Sequence, residues 1–258
     1  MKITRVAMCV VVLFGWASGV DATPVISGTL AITGTVTISA TAIDWAPPGG
    51  GSGTFDVNAS STGYFAAVAT SPATFRGDVS DLAFASPPPP LPAGFGVDNF
   101  LGNLRLIAGG TPAPAPFDAF HFDLADISTP AFLACTGSEG AGQSCRLGLL
   151  TLTNLGAGLT LLRADVKGFF EDEGLNCLVT PTPAHCTPAS GGYLTTVGSS
   201  IQNLAAIFGA GGNIPTTYSG TFTSQAVPAV PEPGTIALMI PGAVWLAARV
   251  VRRRSSAR

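Results

Sequence analysis

Between Thr29 and Ile43 apolar and polar residues alternate. Leu30, Ile32, Val36, Ile38, Ala40 and Ala42 fall on one face, and Thr29, Thr33, Thr35, Thr37, Ser39 and Thr41 on the other. Period two with β-branched residues predicts half-buried strand, either two strands or one long strand bent at Gly34. The same pattern predicts short strands over residues 54–57, 64–69, 73–84, 100–107 and 117–127. In the last of these, Phe120, Phe122 and Leu124 oppose His121 and Asp123. Residues 147–153 and 159–170 read as a hairpin joined by Asn154-Leu155-Gly156-Ala157-Gly158, and residues 215–225 as a final strand. One stretch has helical spacing: Ile201, Leu204, Ala205 and Phe208 share a face within 199–208.

Breakers separate these elements. Pro47-Pro48-Gly49-Gly50-Gly51-Ser52-Gly53 is a turn and not a phosphate cradle, because no Gly-Lys-Ser/Thr follows. Ser86 followed by four prolines, and the Pro-alternating run 111–116, read as stiff surface connectors. Many short strands, Gly/Pro turns and one short helix predict an all-β domain, a β-sandwich or jelly-roll-like fold.

Composition then changes the picture at the two ends. Only 10% of the 258 residues are charged and 47% are apolar. Of twelve Lys and Arg, seven lie at the termini: Lys2, Arg5, Arg249, Arg252, Arg253, Arg254 and Arg258. The body keeps five, Arg76, Arg105, Arg146, Arg163 and Lys167, against thirteen Asp and Glu, a net charge of −8. Such a body repels phosphate backbones, so no nucleic-acid partner is expected. The basic ends look topogenic. Lys2 and Arg5 precede an apolar run, Val6 to Trp16, too short to span a bilayer, and small residues lead to a candidate cleavage after Ala22. Residues 1–22 therefore read as a signal peptide, 23–223 as a secreted β domain, and 224–230 as a linker.

An exported body meets oxidant, and it keeps four cysteines, Cys135, Cys145, Cys177 and Cys186. Four cysteines allow three pairings. Cys135–Cys145 and Cys177–Cys186 are favoured because each pair brackets a short Gly-, Ser-, Thr- or Pro-rich loop. The rival zinc site lacks C-x2-C spacing, so no metal is expected. Asp118, His121, Asp123 and Asp126 crowd one segment, but strand geometry sends His121 and Asp123 to one face and the other two to the opposite face. They read as solvent-facing polar residues. Glu171, Asp172 and Glu173 likewise read as a solvated turn rather than a calcium site. No G-x-S-x-G elbow occurs, and the two histidines, His121 and His185, assemble no visible triad. No catalytic residue and no cofactor is assigned.

The chain closes on Val230-Pro231-Glu232-Pro233-Gly234-Thr235, an apolar span over 236–251, then Arg252-Arg253-Arg254. Sixteen residues at about 1.5 Å each reach roughly 24 Å, short of a ~30 Å bilayer core. Snorkelling arginines shorten the requirement, and they should stay cytoplasmic with the body outside. Pro241 and Arg249 weaken the span as a permanent anchor. Signature, span and arginine cluster, in that order, resemble the PEP-CTERM sorting signal of exported proteins in Gram-negative bacteria that make extracellular polysaccharide. The resemblance covers about the last thirty residues. It implies recognition by an exosortase, a membrane cysteine protease-transpeptidase, near Pro231, Glu232 and Pro233. It also implies transient residence in the inner membrane, then delivery to the cell surface or extracellular matrix. The body is similar to other PEP-CTERM proteins through the residues from Ile43-Asp44-Trp45 to Gly51 and through Gly142-Gln143-Ser144-Cys145, a likeness that brings no activity.

The expectation is a non-enzymatic envelope or matrix protein of structural or adhesive type, with exopolysaccharide as a candidate partner. The alternatives are a carbohydrate-binding module and an envelope hydrolase.

Overall fold

The computed structural model describes residues 26–45, 53–83, 96–128, 131–171, 176–179 and 185–224. Strands make up 56% of the structure. In chain order they are β1 (Gly28–Ser39), β2 (Ala42–Asp44), β3 (Gly53–Val57), β4 (Thr62–Gly63), β5 (Phe75–Val79), β6 (Leu82–Ala83) and β7 (Val97–Leu106). There follow β8 (His121–Ile127), β9 (Ser144–Leu147), β10 (Leu150–Gly156), β11 (Leu159–Glu171), β12 (Thr187–Val197) and β13 (Asn213–Ser224). Eight of them, β1-β3-β5-β7-β8-β11-β12-β13, pair antiparallel in that order, and β13 returns to pair with β1. The ring is closed, so the fold is a barrel and not the expected sandwich or jelly roll. Period-two alternation gives each strand an inner and an outer face in either architecture, and cannot tell which strands are neighbours. The remaining strands extend the wall: β2 and β4 along β1, β6 along β2, and the β9–β10 hairpin beside β11.

The interior is filled by aromatic rings, and their neighbours explain how they fit. Register places Phe222 beside Gly191, Tyr193 beside Gly220, Tyr218 beside Gly34 and Phe55 beside Gly77. Each large ring lies across the one position on the adjacent strand that has no Cβ. At Gly34 a methyl would stand 2.7 Å from the Tyr218 ring and 2.8 Å from the Thr54 carbonyl. At Gly168, inward on β11, it would run into the Asp123 carbonyl. Interlocked edge-to-face contacts complete the core: Phe65–Phe170 and Phe122–Phe222 at 5.1 Å, and Trp45–Tyr218 at 4.7 Å. Such pairs add about 0.5–1.5 kcal/mol beyond burial.

Several elements match the sequence pattern. Leu30, Ile32, Val36 and Ile38 are buried as expected, though the strand breaks after Ser39 and not at Gly34. The helix α1 (Ile201–Gly209) is capped by the Ser200 hydroxyl, which accepts the Asn203 N–H, and it buries Ile201, Leu204 and Phe208. The hairpin β10–β11 turns at Ala157-Gly158, both at positive φ. Two expected strands differ. Tyr64–Ala67 is a 3-10 turn, and Phe117–Ala119 is another that precedes β8. β12 was not expected at all, because Pro188 and the Gly191-Gly192 pair disguise an eleven-residue central strand. The signal peptide, the 236–251 span and the sorting residues lie outside the described residues.

Gly34→Ala should lower stability by about 1–3 kcal/mol, the usual cost of overpacking. Gly168→Ala should cost at least as much, since backbone must move. Urea unfolding monitored by tryptophan fluorescence reads both; a neutral result at both positions would contradict the glycine–ring packing.

Candidate functional site

Because the rings occupy the lumen, chemistry has to sit on the wall. The void beside Trp45, Tyr193 and Tyr218 measures only about 20 Å³, far below the ~300 Å³ at which ligand pockets begin. The indole Nε1 of Trp45 and the hydroxyls of Tyr193 and Tyr218 find no hydrogen-bond partner among the described residues. Burial pushes both phenols upward, so they stay neutral.

On the outer side of β7, β8 and β11 lies a polar cluster that strand pairing assembles. His121 and Glu171 are cross-strand partners, and His121 Nδ1 hydrogen-bonds Glu171 Oε1 at 2.7 Å. The imidazole lies against Gly102, where a Cβ would collide with its ring. Glu171 is fully buried, and His121 keeps 16% of its side-chain surface exposed. Two residues along β8, Asp123 is also fully buried. Its Oδ1 accepts the Asn99 N–H at 2.9 Å and its Oδ2 the Cys177 N–H at 2.9 Å. Asn99 can do this because it sits at φ 51°, in an irregularity where β7 carries extra residues opposite β8. Burial pushes the Asp123 carboxyl up to about 6, against the pull of its two backbone donors, and neighbouring Asp98 pushes the same way.

His121 and Asp123 do share a face, as alternation requires. Asp123 does not face solvent, however, and neither does Glu171: both point away from the lumen and are still covered, whereas His121 is only partly covered. The Cys177 segment bonded to Asp123 supplies part of that cover. Sequence periodicity distinguishes inside from outside the barrel but does not register a loop folded over the outer wall. With both oxygens of Asp123 engaged, this carboxylate fastens a loop to the wall. Asp172 and Glu173 lie outside the described residues.

The cysteines pair as favoured, Cys135 with Cys145 and Cys177 with Cys186, closing separations of 10 and 9 residues. Loops of this length contribute about 2–3 kcal/mol each. Two disulfides point to an oxidising extracellular or periplasmic setting. Among the described residues, Cys135, Glu139 and Cys145 have ligand atoms within 4.8 Å of one another. The two sulfurs are bonded to each other and offer no thiolate, so the grouping is a disulfide and not a metal centre.

A second feature occupies the outer face of β11, β12 and β13. Here an open groove of about 380 Å³ is lined by Ser128, Arg163, Asp165, Lys167, Ser190, Gly192, Leu194, Thr221 and Thr223, among others. Its floor is Gly192; a Cβ there would lie 3.0 Å from Asp165 Oδ1. Arg163 Nε donates to Asp165 Oδ1 at 2.7 Å. None of these residues stands out in the sequence, and the Gly191-Gly192 doublet was the one available signal. Comparison with protein-family models, with curated proteins and with solved structures gives no match.

The Asp123 carboxyl sets a pH dependence. Its proton is held more tightly in the folded state, at about 6, than at the ordinary 3.8. The stabilisation is therefore complete below about pH 4 and lost as pH rises through about 6. The expected gain on acidification from pH 7 to 4 is on the order of 2–3 kcal/mol. Asp123→Asn should flatten the curve in that window; parallel curves for variant and parent would refute the assignment.

Proposed function

We propose that the chain is an exported cell-envelope or extracellular-matrix protein of structural or adhesive type, sorted by a PEP-CTERM signal and processed by an exosortase. The observation that carries the reading is the ordered C-terminus: Pro231-Glu232-Pro233, the apolar span 236–251, then Arg252-Arg253-Arg254. Guanidinium groups held on the cytoplasmic side set the orientation, and the body follows to the outside. Two disulfides in the body support the same route.

A lumen filled by rings supports a mechanical or surface-binding role over carriage of a small ligand, and the burial of Asp123 and Glu171 weighs against an envelope hydrolase built on those two carboxylates. The groove on β11–β13 favours the second reading, a carbohydrate-binding module acting on exopolysaccharide.

Intact mass of the protein recovered from its native host should show an N-terminus at Thr23 and a C-terminus at or before Pro233. A product ending at Arg258 throughout would remove the exosortase from the account. A cytosol-active reporter fused ahead of Pro231 would remove export itself.

A further inference from the structure

We infer that the outer groove of β11, β12 and β13 holds a segment of acidic polysaccharide, with Lys167 and Arg163 meeting its carboxylates. This rests on the structural or adhesive reading above and names the partner it would need. The argument begins with charge. The body holds five cationic side chains against thirteen acids. Three of the five are in ion pairs among the described residues: Arg76 with Asp56, Arg105 with Asp78, and Arg163 with Asp165. Lys167 has no carboxylate within ion-pair distance among those residues. It shares the groove with Arg163, whose pair with Asp165 is made through Nε. Two of the five cations thus face one groove with a single acid between them, on a body of net charge −8.

Register supplies the second element. Lys167 pairs with Ser190, Ser190 with Thr223, and Thr223 with Thr29. One rank on, Asp165, Gly192 and Thr221 lie side by side. Hydroxyls therefore line up from Lys167 across β12, β13 and β1 at the ~4.8 Å strand spacing, with the open floor at Gly192 in the rank beside them. Such a strip can exchange hydrogen bonds with ring hydroxyls while the two cations take an anionic substituent.

Charge also decides between polyanions. A densely charged chain such as polyphosphate or nucleic acid would meet repulsion from the acidic body on either side of the groove. A polyuronate carries one carboxylate per ring beside its hydroxyls, a lower charge density than polyphosphate, so it brings an anion to the cations and ring hydroxyls to the rest of the strip.

The test uses mature protein purified from its host, run by affinity electrophoresis in gels containing polygalacturonate, dextran or polyphosphate. Retardation by polygalacturonate alone is expected, weakening with added salt. The doubly substituted Lys167→Gln/Arg163→Gln protein should bind at least tenfold more weakly, while Arg76→Gln, on another part of the wall, should bind as the parent does. Both groove residues are exposed, so circular dichroism and melting should be unchanged and loss of binding will not reflect loss of fold. Equal retardation by dextran, stronger retardation by polyphosphate, no retardation, or an unaffected double variant would each overturn the inference. The C-terminus of the same preparation is read separately by mass, so the groove can fail while sorting stands, and sorting can fail while the groove stands.

Discussion

The structure depends on matching large rings to missing side chains across the barrel interior. An eight-stranded barrel encloses only enough space for side chains to fill. Tyr193, Tyr218, Phe222 and Phe55 would exceed it if every neighbour carried a Cβ. Gly220, Gly34, Gly191 and Gly77 lie beside them on adjacent strands. Glycine in a strand interior ordinarily weakens it through lost packing and backbone entropy. Here the ring of the neighbouring strand covers the vacant position, and much of the lost contact is restored. The high glycine content of the chain is therefore partly a core feature rather than only a loop feature.

That constraint has a consequence for chemistry. A lumen closed by rings leaves polar function to the outer wall, and the wall treats its two sides differently. At β7, β8 and β11 buried acceptors tie down a disulfide-closed segment: Asp123 takes one N–H from the wall at Asn99 and one from the loop at Cys177. The tie needs a carboxylate where burial opposes charge, which is why its pKa rises despite two good donors. At β11, β12 and β13 no described segment covers the wall in the same way, and hydroxyl and cationic side chains remain open. β11 belongs to both regions. Its Lys167 and Arg163 face the groove, and Glu171, beyond them, is sealed against His121.

Much of this was legible in the chain, and the failures have causes. Alternation placed Leu30, Ile32, Phe122 and Leu124 inside, because burial on one face is what period two encodes. The apolar spacing of Ile201, Leu204 and Phe208 gave the helix, and short bracketed loops gave both disulfides. Closure was not legible, since it depends on β13 meeting β1 across nearly the whole domain, with Thr29 beside Thr223. β12 was hidden because Pro188, Gly191 and Gly192 interrupt the apolar alternation, whereas Gly191 accommodates Phe222 and Gly192 opens the groove floor. The burial of Asp123 and Glu171 was missed because outward-facing was equated with solvated. The Asp98–Asp123 proximity arises from irregular pairing of β7 with β8, and local spacing carries no trace of that irregularity.

Ring closure also bears on export. β1 begins the domain and β13 ends it, and the barrel is complete only when the two pair over eleven positions from Thr29–Thr223 to Ser39–Asn213. A partly emerged chain would therefore expose β1 along the edge that β13 later covers, together with the inner faces that seal against it. Ser224 is seven positions ahead of Pro231. On the proposed topology, the intervening residues 225–230 reach at most about 20 Å even when extended. The last strand would then have to pair with β1 while the proposed C-terminal span still holds the chain. Cleavage before β13 docks would release a barrel with an open seam, and cleavage after it would release a closed one. On the proposed route, a sorting signal behind the closing strand would let the whole domain emerge before it is freed.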